Sequence, residues 1–158
     1  MTDPLSTRPN TLPWPPMLLA GAAAVAIALG VVLPLALPAA HWMVGPGYVV
    51  AAVGLGIDGW AILTMYRART NVLPHRAADL LVSWGPFRFS RNPIYLANTL
   101  LLIGIGFAFG NAWFIPLAFV TAMLVDRLAI RREERHLAIR FGNAWIEYAA
   151  RTPRWLIR

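Results

Sequence analysis

Two short stretches hold most of the side chains in this 158-residue chain that could do chemistry on a polar ligand: Arg91-Asn92-Pro93-Ile94-Tyr95 and Glu133-Glu134. Guanidinium groups suit carboxylates, and carboxylates suit ammonium, sulfonium or hydroxyl donors, so together they can line a site for a zwitterionic ligand. In the first stretch Asn92 is a good N-cap and Pro93 suits the first helical position, which predicts a helix opening there. Tyr95 and Asn98 are three apart and share a face of that helix, placing a hydroxyl and an amide side by side. In the second stretch each Glu lies three or four residues from both Ile130 and Leu137, so both acids lean toward the interior side of a helix. The plainer alternative is a solvated ion pair such as Arg131 with Glu134. Ser83-Trp84-Gly85-Pro86-Phe87-Arg88 forms a turn just ahead of Arg91. Asp58 sits inside an apolar run and implies either a structural partner or a site role. His41, His75 and His136 show no i, i+4 pairing and the chain has no Cys, so no metal site and no thiolate nucleophile is expected.

The elements that must position these groups are apolar helices. With 58% hydrophobic and 13% charged residues, the composition is that of a membrane protein. At about 20 apolar residues per crossing, the expected fold is all-α, with about four transmembrane helices in one domain. The apolar runs place them at 17–40, 47–66, 94–109 and 113–128. Residues 1–16 are polar and Pro-rich and are expected to form a loose tail. The 41–46 and 110–112 segments are short connectors, and the Arg-bearing 67–93 segment must lie outside the hydrocarbon. From Ala129 onward charge returns while the helical period persists through Ile130, Leu137 and Phe141. The fourth helix is therefore expected to run on into water as part of a helical 129–158 segment. Gly142 sits where a helix commonly stops, and Trp145 to Ala150 is expected to form a short helix.

The net charge of +7 arises from Arg alone. With four spans and both termini inside, every Arg falls on one face of the bilayer, which the positive-inside rule makes cytoplasmic. Lipid headgroups, not nucleic acid, are the expected partners of that charge.

Leu81 to Tyr95, with Ser83-Trp84-Gly85-Pro86-Phe87-Arg88 and Arg91-Asn92-Pro93-Ile94-Tyr95 in order, resembles the isoprenylcysteine carboxyl methyltransferase and phospholipid methyltransferase superfamily. A second block, Glu133-Glu134-Arg135-His136-Leu137, Phe141-Gly142, Tyr148 and Thr152-Pro153-Arg154, resembles the C-terminal signature of that superfamily. Asn92 stands where the eukaryotic carboxyl methyltransferases carry His, as in bacterial relatives. The resemblance covers about half the chain and implies an S-adenosyl-L-methionine-dependent enzyme of the bacterial inner membrane, with its site at the cytoplasmic face. It implies cofactor binding by Leu81, Val82, Gly85, Arg91, Asn92, Pro93, Tyr95, Glu133 and Glu134. Asp58, Asn98 and Arg154 are the candidates for contact with a lipophilic or small methyl acceptor bearing a carboxylate, amine or hydroxyl. The resemblance singles out no catalytic residue. The alternative from another class is a non-catalytic small membrane protein, a transporter subunit or scaffold.

Overall fold

The computed structural model describes residues 14–35, 37, 40–70 and 80–156. Among them the chain forms α1 (Trp14–Val32), α2 (Ala40–Arg67), α3 (Pro93–Phe109), α4 (Phe114–Val125), α5 (Arg131–Phe141) and α6 (Asn143–Arg151). A 3-10 turn occupies Gly85–Arg88, and a π turn over Asp126–Ile130 joins α4 to α5 without a break. The described residues contain no regular strand. His75, expected in the 67–93 loop, lies outside the described residues.

The boundaries correct the sequence reading at three places. The first helix covers Trp14–Val32, not 17–40. Pro15 and Pro16 are tolerated in its first turn, where the missing N–H has no intrahelical partner, and Pro34 disfavours helical geometry at Leu33. The expected 41–46 connector is helical, because α2 begins at Ala40 and takes Pro46 into its interior. Pro46 removes the bond its N–H would have made to Trp42, but the helix keeps its remaining backbone groups paired where the surroundings are apolar. The run starting at 113 does continue, through the π turn, as far as Phe141, where Gly142 at φ +52° breaks it. The last short helix starts at Asn143 instead of Trp145.

α1 and α2 are long and apolar enough to cross a membrane; α3, at 17 residues, is a shorter apolar helix. The outward faces of α1, α2 and α4 are apolar as well, with Ile27, Val31, Val49, Val53, Ile62 and Phe119 all exposed. A water-soluble surface rarely presents so much contiguous hydrocarbon.

With lipid on the outside, helices associate through close backbone approach at small residues, not through hydrophobic transfer. The α2–α3 seam is of this kind. A Cβ on Gly47 would lie 2.4 Å from the Ala108 nitrogen, one on Gly104 2.4 Å from the Ala51 nitrogen, and one on Gly54 2.8 Å from the Ala97 oxygen. On the other side, Ala22 and Ala26 of α1 meet Leu102, Phe114 and Ala118 of α3 and α4 in a buried cluster.

The α3–α4 connector pins the end of this bundle. Gly110 caps α3 in the left-handed region at φ +66°. Asn111 donates through Nδ2 to the Ala26 carbonyl at 2.9 Å and accepts from the Trp113 N–H at 3.1 Å. Trp113 Nε1 donates to the Leu33 carbonyl at 2.8 Å. These polar contacts satisfy backbone groups of the α1 end and the connector together, leaving α1, α3 and α4 fixed at that end.

Candidate functional site

At the opposite end of α3 the chain folds two distant segments onto each other. Gly85 at φ +62° opens the 3-10 turn, and any Cβ there would lie 2.9 Å from Thr64 Oγ1, so the turn packs directly on α2. Tyr148 of α6 donates its hydroxyl to the Phe87 carbonyl at 2.7 Å. Ser90, almost fully buried, accepts from the Asn92 N–H at 3.1 Å and donates to the Arg154 carbonyl at 3.1 Å. Asn92 Nδ2 donates to the same carbonyl at 3.1 Å, and the Arg91 N–H donates to the Pro153 carbonyl at 2.9 Å. Asn92 thus stands at the N-cap position of α3 without capping through its side chain. Its amide ties down the 152–154 strap instead, which corrects the expected capping role. Pro93 takes the first helical position as expected.

The strap delivers Arg154 into a charged cluster. Arg91 Nη1 lies 3.2 Å from Glu134 Oε1, and Arg154 Nε donates to the same oxygen at 3.1 Å while its Nη2 donates to Oε2. Arg154 Nη1 reaches Asp126 Oδ1 at 3.3 Å, and Arg131 Nε meets Asp126 Oδ2 at 3.0 Å. The plainer alternative, an Arg131–Glu134 ion pair, is not found among the described residues: Arg131 meets Asp126, while Glu134 meets Arg91 and Arg154. The side chains of Arg91 and Glu134 are only 15% and 14% exposed, so this pair is shielded from solvent and its charges interact more strongly than a surface bridge would. Arg91 also lies 5.5 Å from the Trp145 ring centroid, a cation–π contact, and its Nε is buried with no hydrogen-bond acceptor among the described residues. Trp145 and Tyr148 pack edge to face at 5.8 Å.

Glu133 points elsewhere. It accepts a hydrogen bond from the Tyr95 hydroxyl at 2.8 Å, joining α5 to the first turn of α3. Burial pushes its carboxyl up to about 7; the Tyr95 bond opposes that shift and the Glu134 charge adds to it. Burial likewise raises the Tyr148 phenol, with the Arg91 charge opposing, while the Glu134 hydrogen bonds raise Arg154.

The Glu133 shift has a measurable sign. An acid whose folded pKa exceeds its unfolded one binds more protons when folded, so stability falls as pH rises from the ordinary glutamate value of 4.5 through about 7. The wild-type melting temperature is expected to decline over that window in detergent solution, and Glu133→Gln to flatten the decline. Parallel wild-type and variant curves would remove the assignment.

Of the other residues singled out from sequence, Val82 is buried and Leu81 half-buried, and their backbone groups make no hydrogen bond to a described residue. Asp58 lies on the same face of α2 as Gly54 and Ala61, with one carboxylate oxygen buried and unpartnered among the described residues, and is not joined to the cluster. Asn98 lines a small cleft beside Tyr95, not the cluster itself. Asp126, Trp145 and Ser90 were missed. The available signal for Asp126 was an acid at the end of the fourth apolar run, but its direction depends on a π turn that no local pattern announces.

Apolar helices closed at one end by a charged, part-buried cluster drawn from two separated sequence blocks define a membrane-type helical protein with a zwitterion-compatible site. The chain belongs to the phospholipid methyltransferase family, whose profile matches residues 42–144, from the start of α2 into α6. It is also similar to the cobalt-zinc-cadmium resistance protein CzcN of Cupriavidus metallidurans, with 30% identity over 105 residues, 66% of this chain and 48% of that protein. The chain therefore spans about half the length of that curated relative. Among the described residues no group of three or more His, Cys, Asp or Glu side chains is placed to hold a metal ion.

Proposed function

We propose that the chain is an integral membrane methyltransferase that binds S-adenosyl-L-methionine at the Arg91–Glu134–Arg154 cluster and methylates a lipophilic or small acceptor at the cytoplasmic membrane face. The observation supporting this most is the part-buried contact, 3.2 Å long, between Arg91 of one family block and Glu134 of the other. A surface pairing would give no reason for burying both groups, since burial costs more than an isolated pair returns.

The donor set fits such a cofactor. Its carboxylate suits the Arg91 and Arg154 guanidiniums, with the unsatisfied Arg91 Nε offering a further donor. Its ammonium and ribose hydroxyls suit Glu134 and Asp126, and the 81–82 backbone, which bonds to no described residue, suits the edge of a heterocycle. When bound, it supplies an electrophilic methyl group on a sulfonium. Binding exchanges protein–protein ion pairs for protein–ligand ones, so charge balance is kept while the cluster opens. The chain then has only to align an acceptor lone pair with the sulfur–methyl bond and exclude water.

Four spans with both termini inside are part of this proposal, with α3 and the continuous run from Phe114 through the π turn completing the crossings made by α1 and α2. The cluster then lies on the Arg-rich, cytoplasmic side of a bacterial inner membrane. Because the chain has no Cys, Met43→Cys and Ala112→Cys give clean single labels. A membrane-impermeant maleimide is expected to label both from the non-cytoplasmic side; labelling from the cytoplasmic side alone would overturn the topology. The enzymatic part is tested by incorporation of labelled methyl groups from S-adenosylmethionine into total membrane extract, which the wild type should support and Arg91→Ala should lose.

A second reading, a non-catalytic membrane component, draws on the metal-resistance name of the Cupriavidus relative. It predicts a folded protein with no affinity for the cofactor.

A further inference from the structure

Between α1, α3 and α4, a cleft of about 270 Å³, including its open mouth, lies beside Tyr95. Its polar wall comes from Tyr95, Asn98, Thr99 and Thr121. The Thr99 hydroxyl is already donated to the Tyr95 carbonyl at 2.9 Å, whereas the Asn98 amide makes no hydrogen bond to a described residue. Tyr95 belongs at once to this wall and to the family blocks, through its bond to Glu133 at 2.8 Å.

We propose that this cleft receives the acceptor's nucleophile as an N–H or O–H group, and that Tyr95 takes its proton while handing its own to Glu133. The inference rests on the methyltransferase reading above, and it assigns Tyr95 as a catalytic residue and Glu133 as the proton acceptor behind it. In the reaction the acceptor nitrogen or oxygen forms a bond to the methyl carbon of a sulfonium donor. The carbon–sulfur bond breaks, and its electron pair stays on sulfur as a neutral thioether. The acceptor's N–H or O–H bond breaks as its proton moves to the Tyr95 oxygen, and the Tyr95 proton moves to the Glu133 carboxylate. The positive charge of the sulfonium and the negative charge of Glu133 disappear together, so the step is balanced. A carboxylate acceptor would need none of this, being already deprotonated, and would meet the Glu133 charge.

The electrostatics support the geometry. The Tyr95 phenol of α3 donates to Glu133, the neighbouring Glu134 lies on the same helix, and burial outweighs the Tyr95 bond to hold the Glu133 carboxyl near 7. A base with that affinity is substantially ionised at neutral pH and still strong enough to retain a proton. The apolar lining from Leu19, Leu102 and Val125 suits a hydrocarbon-bearing acceptor arriving from the bilayer.

The test offers labelled S-adenosylmethionine and three probes in mixed micelles: dodecylamine, dodecylphenol and lauric acid. Transfer to the amine or the phenol is expected, with no alkali-labile methyl ester from lauric acid. The rate should rise with pH and level off above about 7, as for a single base. Tyr95→Phe and Glu133→Gln should keep S-adenosylhomocysteine affinity within about threefold while slowing transfer about 100-fold or more, and Glu133→Gln should abolish the pH limb. Methyl laurate as the product, transfer to none of the three probes, or variants that transfer at close to the wild-type rate would each overturn the relay. So would a loss of cofactor affinity large enough to account for the slower transfer. Failure of the folded wild type to bind S-adenosylhomocysteine is a different result, and it removes the methyltransferase reading itself.

Discussion

Glu134→Gln is expected to lower the affinity for S-adenosylhomocysteine by roughly 10- to 150-fold while leaving the protein folded, and Arg91→Ala to do the same. Each removes a charge-assisted hydrogen bond from a shielded site, worth about 1.5–3 kcal/mol, and affinity changes tenfold for about every 1.4 kcal/mol. Glutamine retains the shape and one acceptor oxygen of Glu134, so Arg91 and Arg154 keep hydrogen bonds though not their counter-charge. The ligand ammonium, in contrast, loses the carboxylate that would balance it in a site where Glu134 is only 14% exposed. Calorimetric titration of each detergent-solubilised variant, with a thermal melt beside it, separates lost binding from lost structure. Were these residues ordinary surface partners, stability would change by no more than about 1 kcal/mol and binding would not respond.

The second large effect is expected far from the cluster, at Gly104. A single added methyl there meets the Ala51 backbone nitrogen at 2.4 Å, with Gly47 and Ala51 backbone atoms at 2.8 Å, and backbone cannot swing aside as a flexible side chain can. Gly104→Ala should therefore destabilise by about 1–3 kcal/mol, lowering the melting temperature by several degrees. Gly56 on α2 supplies the control, because nothing lies within 4 Å of its Cβ position. Gly56→Ala should be neutral or stabilising by up to about 1 kcal/mol from helix propensity alone. Equal melting temperatures for the two variants would show that the α2–α3 seam is not built on close backbone approach.

Much of this arrangement was legible in the sequence, and the remainder was not for identifiable reasons. Apolar run length indicated the helices, and Pro93 and Gly110 marked the ends of α3 because helix starters and breakers act locally, whereas the Asn92 side chain does not cap the helix. Pro46 misled, since a proline reads as a boundary in water, but α2 continues through it. At the cluster, residue types and order identified Arg91, Glu133 and Glu134 as polar groups set to converge, yet not which partner each would choose. Glu133 and Glu134 are adjacent and look equivalent, but one bonds to Tyr95 and the other to two guanidiniums. That division depends on the π turn, which shifts the phase of the helix beyond it, and on a strap held by the buried Ser90 and Asn92. Both are tertiary outcomes. Asp126 was unreadable for the same reason, and Asp58, conspicuous as an acid in an apolar run, lies outside the cluster.

If the charged cluster joining the two family blocks is a cofactor site, calorimetric titration of S-adenosylhomocysteine into folded wild-type protein gives a saturable heat corresponding to one site per chain, displaced by S-adenosylmethionine. The absence of any binding heat from a preparation whose thermal melt shows it to be folded would contradict it.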